Sequence, residues 1–289
     1  MEDALSGDTA SCGVEAALAS FVFDPLRPWL ERLPPRPDEA ALTALAGQHE
    51  ILVAPGRPLR FVPPQGDGMA YETRTWARGE VETRPDNWHD FFNALVWLAF
   101  PLTKRALNAA HVAAMQPGGQ GRGSQRDALT HFDECGIAVL STRPELLELL
   151  RGFQWRELFV ARRAEVRTAM RFVVFGHATY EALLAPFRGL TAKAVLLEVT
   201  PGVLARPAAA LTAEVDARLA AVLTRGAYCR PRDFQPLPLL GIPGVTPTSE
   251  DPGFYDDTWQ FRPGRRATAK TYLENGVSPG AAGARAGNC

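Results

Sequence analysis

The most regular hydrophobic pattern in the chain lies between residues 87 and 100 and ends at Pro101. Its apolar positions recur at helical spacing and are Phe92, Leu95, Val96 and Ala99. Positions three or four apart share one face of an α-helix, so this pattern predicts an amphipathic helix. A second helix is expected directly after it, capped by Thr103 and ended by the glycine-rich stretch 117–124, which we interpret as a mobile loop.

The rest of the chain alternates short helical patterns with short apolar runs. Further helices are predicted over residues 26–33, 38–46, 144–150, 155–167, 177–184 and 208–223, and strands over 59–62, 137–140, 171–175 and 194–199. Two hairpins are also predicted, one pairing 71–75 with 81–83 and one pairing 128–132 with 137–140 across a turn at 133–136. Proline lacks a backbone donor, so the proline-rich segment 236–247 is expected to be irregular and extended.

These elements favour a single α+β domain over residues 1–263. A mixed sheet is covered by helices, and the proline-rich segment wraps around the body in extended form. A subdivision, if there is one, is expected near residues 117–125. Residues 264–289 lack a core pattern and are predicted to form a disordered tail.

Composition narrows the classes of partner. The chain has 289 residues, 46% of them hydrophobic and 22% charged, with a formal net charge of −1. This is ordinary for a globular protein and gives no attraction to nucleic acid or to an anionic membrane surface. Neither a basic leader nor an apolar run of membrane-spanning length is visible, so a cytoplasmic location and a small-molecule substrate are expected, while a protein partner stays unknown. The four cysteines lack CxxC spacing, which argues against a structural zinc site.

Three polar residues, His89, Asp90 and Asn93, interrupt the apolar helix near its start. Positions three and four apart share a helical face, so these side chains can converge where free backbone N–H groups favour an anion. We predict His89 as a general base or metal ligand, Asp90 as a catalytic carboxylate and Asn93 as a substrate contact. A structural interpretation stays open, because Asn87 as N-cap with Asp90 at the third helical position resembles a capping box.

Polar residues also follow the next predicted helix at helical spacing, namely Lys104, Asn108 and His111. We predict Lys104 as a substrate-binding cation. The alternative is a solvated helix face. Asn108 is a poor helix former, so its position within the helix indicates a partner for its side chain.

Carboxylates cluster after the glycine-rich stretch, where Arg126 and Asp127 precede Asp133 and Glu134. Grouped carboxylates bind divalent cations through their oxygens. We predict Asp133 and Glu134 as metal ligands, Asp127 as a catalytic carboxylate and Arg126 as a substrate contact. The spacing matches neither an EF-hand nor a HExxH helix, so an acidic turn without a metal is the alternative.

His177 follows a buried apolar run at the start of a predicted helix, and Lys193 precedes the next buried strand. Strand ends in open sheets commonly carry ligand contacts, and helix N-termini favour phosphate or carboxylate groups. We therefore predict that His177 and Lys193 hold an anionic substrate group. A histidine that only caps its own helix is the alternative.

Several of these segments are long and specific motifs. They are Asn87–Trp97, Phe100–Pro101, Lys104, Arg126–Thr130, Phe132–Glu134 and Phe175–Ala178. Together they resemble a bacterial family catalogued as domain of unknown function 3025, and the resemblance extends over residues 20–262. It implies no established activity, substrate or catalytic residue.

Polar residues at the ends of apolar segments favour a hydrolase that acts on a phosphate- or carboxylate-bearing substrate through a His/Asp/Glu site, with a divalent metal ion as an optional cofactor. The alternative is a non-catalytic binding or interaction protein in which the same residues form a structural hydrogen-bond network. The hydrolase hypothesis requires that these side chains share one cavity.

Overall fold

The computed structural model describes residues 18–34, 37–115 and 122–264. Its α-helices are α1 (Arg27–Leu30), α2 (Glu39–Gln48), α3 (Tyr71–Arg78), α4 (Trp88–Ala99), α5 (Pro101–Met115), α6 (Arg122–Cys135), α7 (Pro144–Arg151), α8 (Arg163–Ala169), α9 (His177–Leu184), α10 (Pro201–Leu204) and α11 (Ala208–Thr224). A π-helical turn at Glu157–Ala161 precedes α8. None of the helices in these ranges is both long and apolar enough to cross a bilayer.

The strands are β1 (Leu52–Ala54), β2 (Arg57–Pro58), β3 (Arg60–Val62), β4 (Glu80–Glu82), β5 (Gly136–Ser141), β6 (Met170–Val174), β7 (Thr191–Glu198) and β8 (Gln235–Pro238). The largest sheet has the strand order β6-β5-β7-β8, in which β5 runs antiparallel to β6 and parallel to β7. Every residue of β5 is buried. A strand covered on both faces needs no polar alternation, which explains its continuous apolar sequence. The prediction of an α+β domain with a mixed sheet is confirmed.

Helix α4 packs against α1, α5 and α9, and all its residues from 92 to 99 are buried. It begins after Asn87, whose side chain accepts a hydrogen bond from a backbone N–H of the first turn, as predicted. Helix α5 follows directly and begins before the predicted cap. The carboxylate of Asp216 on α11 accepts hydrogen bonds from the backbone N–H groups of Leu102 and Thr103. A side chain distant in the sequence thus satisfies the free donors at the start of α5.

The first predicted hairpin is wrong, because residues 71–75 belong to helix α3. This helix ends at Gly79, which adopts a left-handed conformation with a φ of 72°. Arg78 in the last turn complements the helix dipole. These end signals outweigh the strand preference of the two threonines in the segment. Strand β4 then pairs in parallel with β3.

The second predicted hairpin is also wrong, because residues 128–132 and the expected turn at 133–135 belong to helix α6. The buried residues of this segment are Ala128, Leu129 and Phe132, which is helical spacing. Arg122 to Ser124, predicted as loop, already lie in α6. The remainder of that loop, residues 117–121, and with it most of the predicted subdivision, lie outside the described residues, as does the predicted tail from residue 265 onward.

The proline-rich segment packs on the body more compactly than predicted. Its first part forms β8, which pairs antiparallel with β7 at the edge of the sheet. An edge position suits proline because only one side of an edge strand must donate hydrogen bonds. Short 3-10 helices then follow at Leu239–Gly241, Pro247–Glu250 and Pro252–Asp256. Tyr255 and Phe261 are buried and anchor this part of the chain.

Candidate metal centre

Three segments bring imidazole and carboxylate groups to one point. Helix α4 contributes His89 in its first turn, the end of α6 contributes Asp133 and Glu134, and α9 begins at His177. Helix α9 can start directly against the end of α6 because the preceding residue is Gly176. A Cβ atom at that position would stand 2.4 Å from the carbonyl oxygen of Glu134. Glycine permits this close backbone approach because it has no Cβ atom.

His89, Glu134 and His177 form a group with the geometry of a metal site. The Nε2 atoms of the two histidines are 3.1 Å apart. Oε2 of Glu134 lies 3.5 Å from Nε2 of His177 and 3.9 Å from Nε2 of His89. Ligand atoms bound to zinc at 2.0–2.2 Å are separated by about 2.9 Å at right angles and about 3.4 Å at the tetrahedral angle. The Glu134 oxygen stands farther from both nitrogens than a tetrahedral set requires, so its carboxylate has to move toward them to complete the set.

Each of the two histidines directs its second nitrogen toward a further carboxylate. Nδ1 of His89 lies 3.1 Å from Oε2 of Glu181, which is a hydrogen-bond distance. Nδ1 of His177 lies 3.9 Å from Oδ2 of Asp133. Metal-binding histidines commonly place a carboxylate at the nitrogen opposite the metal, which fixes the tautomer and leaves the other lone pair free. The hydrogen bond to Glu181 therefore suits His89 for coordination through Nε2, whereas the buried Nδ1 of His177 has no hydrogen-bond partner among the described residues.

The two histidines differ in their exposure to solvent. His177 is only 4% exposed, and burial lowers its pKa to about 4, although the negative charge of Asp133 opposes the change. Its imidazole is neutral at physiological pH and has no proton to release before it binds a cation. The side chains of His89 and Glu134 are 35% and 36% exposed, so the group is open to solvent on one side.

A buried ion pair lies beside His177. Nζ of Lys104 donates hydrogen bonds to the two oxygens of Asp133 at 2.6 and 2.8 Å and to Oδ1 of Asn93 at 2.9 Å. Burial alone would lower the pKa of Lys104, but Asp133, Tyr71 and Glu72 together outweigh burial and the pKa is raised. Burial would likewise raise the pKa of Asp133, and the attraction of Lys104 holds it low instead. Lys104 is therefore charged and already paired, rather than free to bind a substrate anion as predicted.

A further carboxylate, Glu72 on α3, faces the same region. Its Oε2 accepts a hydrogen bond from Nδ2 of Asn108 at 2.5 Å, and its Oε1 lies 3.8 Å from Nε2 of His111. Burial raises the pKa of Glu72 to about 7, with the Asn108 hydrogen bond opposing the change. Burial also lowers the pKa of His111. Glu72 can thus gain or lose a proton near neutral pH, which is a property of many proton-transfer groups.

These groups surround a cavity of about 400 Å³. The predicted site residues that line it are His89, Asp90, Asn93, Asp133, Glu134 and His177. Asp90 also accepts hydrogen bonds from the backbone N–H and the guanidinium of Arg84 at 2.7 to 2.9 Å. This pairing gives Asp90 a structural explanation that competes with the predicted catalytic role.

Four predicted site residues do not line the cavity, and one of them is Lys104, which is paired with Asp133. Arg126 and Asp127 are exposed on α6. They were predicted to begin a strand, but they belong to a helix whose buried face does not include them. Lys193 is half-buried on β7, where the strand register pairs it with Gly136. It neighbours Cys135, whose pKa is raised by burial and by the charge of Glu134.

Three residues at the site, Tyr71, Glu72 and Glu181, were not predicted from the sequence. Glu181 carries a recognisable signal, since it lies four residues after His177 and shares its helix face. Tyr71 and Glu72 were obscured by the wrong hairpin prediction. Nothing in the local sequence indicates that their helix would pack against α5, where Glu72 meets Asn108.

Comparison of the chain with curated proteins and with solved structures finds no match. A family model does match, over residues 59–265, and its description is a protein of unknown function, DUF3025. This range is more than half of the chain and includes all the residues of the candidate metal centre. The chain therefore belongs to the DUF3025 family.

Proposed function

We propose that the protein is a metal-assisted hydrolase that acts on a phosphate- or carboxylate-bearing substrate. The observation that carries the proposal is the convergence of Nε2 of His89, Nε2 of His177 and Oε2 of Glu134 on one point at the edge of a cavity. Two imidazoles and one carboxylate are a donor set that suits zinc and related divalent ions.

The exposure of the three ligands supports a catalytic site rather than a closed structural one. Structural zinc sites are filled by four protein ligands, whereas catalytic sites keep a position for water or substrate. Here His177 is buried, while His89 and Glu134 border solvent. A divalent ion at this place would polarise a substrate oxygen and lower the pKa of water. Glu72 lines the same cavity, and its pKa of about 7 fits a group that accepts and returns a proton.

The charges around the cavity support an anionic substrate group. Most of the carboxylates that line it are already paired with cations, as Asp90–Arg84, Asp133–Lys104 and Glu82–Arg74. Glu134 would contribute one negative charge to a doubly charged ion. The ion together with its three ligands would then carry one net positive charge, and a bound cation commonly dominates the local potential. A phosphate or carboxylate would balance that charge.

A zinc titration tests the proposal. Isothermal titration of chelator-treated protein at pH 7 is expected to show one zinc ion per chain. His89→Ala should weaken zinc binding by more than about 100-fold, because it removes a ligand and not merely an outer contact. The matched control is His131→Ala, since His131 is exposed on α6 and does not line the cavity. Without zinc, both variants should melt close to the wild-type temperature.

A hydrolysis assay then tests the reaction class. The zinc-loaded protein is expected to hydrolyse members of a panel of phosphate monoesters and N-acyl amino acids, and His89→Ala should lose that activity while His131→Ala keeps it. Absence of zinc binding by the wild type, or equal loss in both variants, contradicts the metal centre. A failure of His89→Ala to fold assigns His89 to structure.

The alternative function is a non-catalytic binding protein, and one observation favours it. Lys104, Asn93 and Asp133 satisfy one another inside the protein, as expected of a network that fixes a single packing. In that case His89 and His177 would simply be hydrogen-bonded to each other at 3.1 Å. The same zinc titration separates the two functions.

A further inference from the structure

The hydroxyl group of Tyr71 accepts two hydrogen bonds from the protein. Nδ2 of Asn93 and Nε1 of Trp97 both donate to it at 3.1 Å. The indole nitrogen can only donate. The orientation of the Asn93 amide is fixed by Lys104, because an ammonium group has no acceptor and its Nζ lies 2.9 Å from Oδ1. The roles of these atoms follow from their chemistry.

Both acceptor sites of the Tyr71 oxygen are therefore used, and its own proton remains to be donated. Among the described residues, no acceptor is found for that proton within hydrogen-bond distance. Tyr71 lines the cavity that contains His89 and His177. The hydroxyl proton can therefore be donated into the cavity, to a molecule bound there.

The hydrogen bonds to Tyr71 form a chain that begins at a charge. Lys104 polarises the Asn93 amide, and the amide in turn donates to the phenol oxygen. Hydrogen bonds in such a chain strengthen one another, so a phenol that accepts from a polarised donor becomes a better donor itself. The carboxylate of Asp133 holds Lys104 in place. The chain is buried up to Tyr71.

We propose that Tyr71 is the residue that donates a hydrogen bond to the anionic group of the substrate. The inference deepens the proposed function and rests on it, since it assigns the metal and the phenol to the same phosphate or carboxylate. Donors that are fixed before the substrate arrives stabilise negative charge without reorganisation. Asn93 and Lys104 are positioning residues in this scheme, which differs from the predicted direct contacts of both with the substrate.

The test uses inorganic phosphate as the probe. Phosphate binding to the zinc-loaded full-length protein is measured by titration calorimetry for the wild type, Tyr71→Phe and Tyr228→Phe. Tyr228 stacks on Phe234 and does not line the cavity, so it controls for the loss of a hydroxyl. Tyr71→Phe should bind zinc as the wild type does but bind phosphate about tenfold or more weakly, because the lost hydrogen bond is to a charged group. Tyr228→Phe should change neither affinity.

Tyr71→Phe also leaves two donors without their acceptor, so a measurement on the unaltered chain accompanies it. In protein labelled with ¹³C at the tyrosine Cζ atoms, the Tyr71 signal should move on addition of phosphate while that of Tyr228 stays. Equal phosphate affinity in Tyr71→Phe, or an unmoved Tyr71 signal at saturation, overturns the inference. If zinc does not bind but the phosphate affinity still depends on Tyr71, the proposed metal centre is wrong and the role of Tyr71 as a hydrogen-bond donor to the anion stands. No phosphate binding by the wild type, with or without zinc, overturns the inference, while the zinc titration and the hydrolysis assay decide the proposed function separately.

Discussion

The raised pKa of Glu72 predicts an unusual dependence of stability on pH. This carboxyl group is buried beside Asn108 and His111, and burial moves its pKa from 4.5 to about 7. Glu72→Gln replaces a group that can ionise by an amide of nearly the same shape. The amide oxygen of the variant can still accept the hydrogen bond from Asn108, so the main change is the loss of the charge.

The size of the effect follows from the change in proton affinity. Each pKa unit corresponds to about 1.4 kcal/mol, so a change from 4.5 to about 7 gives about 3 kcal/mol. The folded state holds the proton more tightly than the unfolded state does. The stabilisation is therefore complete below pH 4.5 and is lost as the pH rises toward and through 7. Above pH 7, Glu72→Gln should be more stable than the wild type by up to about 3 kcal/mol, and below pH 4.5 the difference should vanish.

Urea unfolding at several values between pH 4.5 and pH 8.5, in the presence of a chelator, measures this difference. Glu148→Gln is the control, because Glu148 is an exposed residue of α7 whose one salt-bridge partner among the described residues is Arg151. The control should follow the wild-type curve at every pH. A free-energy difference between Glu72→Gln and the wild type that stays constant across the pH range would refute the reasoning. Direct titration of the Glu72 carboxyl carbon by NMR provides a second reading of the same pKa.

Two further predictions concern the supports of the candidate metal centre. Lys104→Met leaves the Asp133 carboxylate without its cation and should lower the free energy of unfolding by about 3–5 kcal/mol. Adding Asp133→Asn should restore part of this loss, and urea denaturation at pH 7 measures both variants. An unchanged midpoint for the single variant would show that the pair contributes nothing. Gly176→Ala places a Cβ atom 2.4 Å from the Glu134 carbonyl oxygen and should cost about 1–3 kcal/mol and weaken zinc binding. Gly202→Ala on α10 is its control, because a Cβ there meets nothing within 4 Å, and the same loss in both variants would contradict the argument.

The sequence predicts the elements whose hydrophobic period is long or uninterrupted. Helix α9 has the predicted bounds of residues 177–184, and β5 and β7 follow the predicted apolar runs closely. His177 could be placed at a strand-to-helix junction because that junction depends on local signals alone. Glu134 was predicted as a ligand from the chemistry of its carboxylate alone. The local structure predicted around it, a turn, is in fact the end of helix α6.

The partners of these residues could not be predicted, since they depend on packing between distant segments. Lys104 meets Asp133 only because α5 and α6 pack together, and no local pattern distinguishes a buried lysine from a solvated one. Threonine and tyrosine in residues 71–75 favour strands on propensity, while the actual helix is stabilised by ion pairs of Arg74 with the neighbouring segments. Lys193 was predicted to reach the site because its strand was expected to end there. The sheet register instead pairs it with Gly136, and its side chain does not line the cavity.

The two prolines of β8 have a consequence for how the protein behaves at high concentration. The backbone N–H of Leu239 donates inward to Leu190, and Leu237 has the same orientation because strand residues alternate. Pro236 and Pro238 therefore direct their nitrogen atoms outward, where neither has a hydrogen to donate. A strand from another molecule cannot complete a ladder along this margin, so the chain is protected there against self-association and fibril growth.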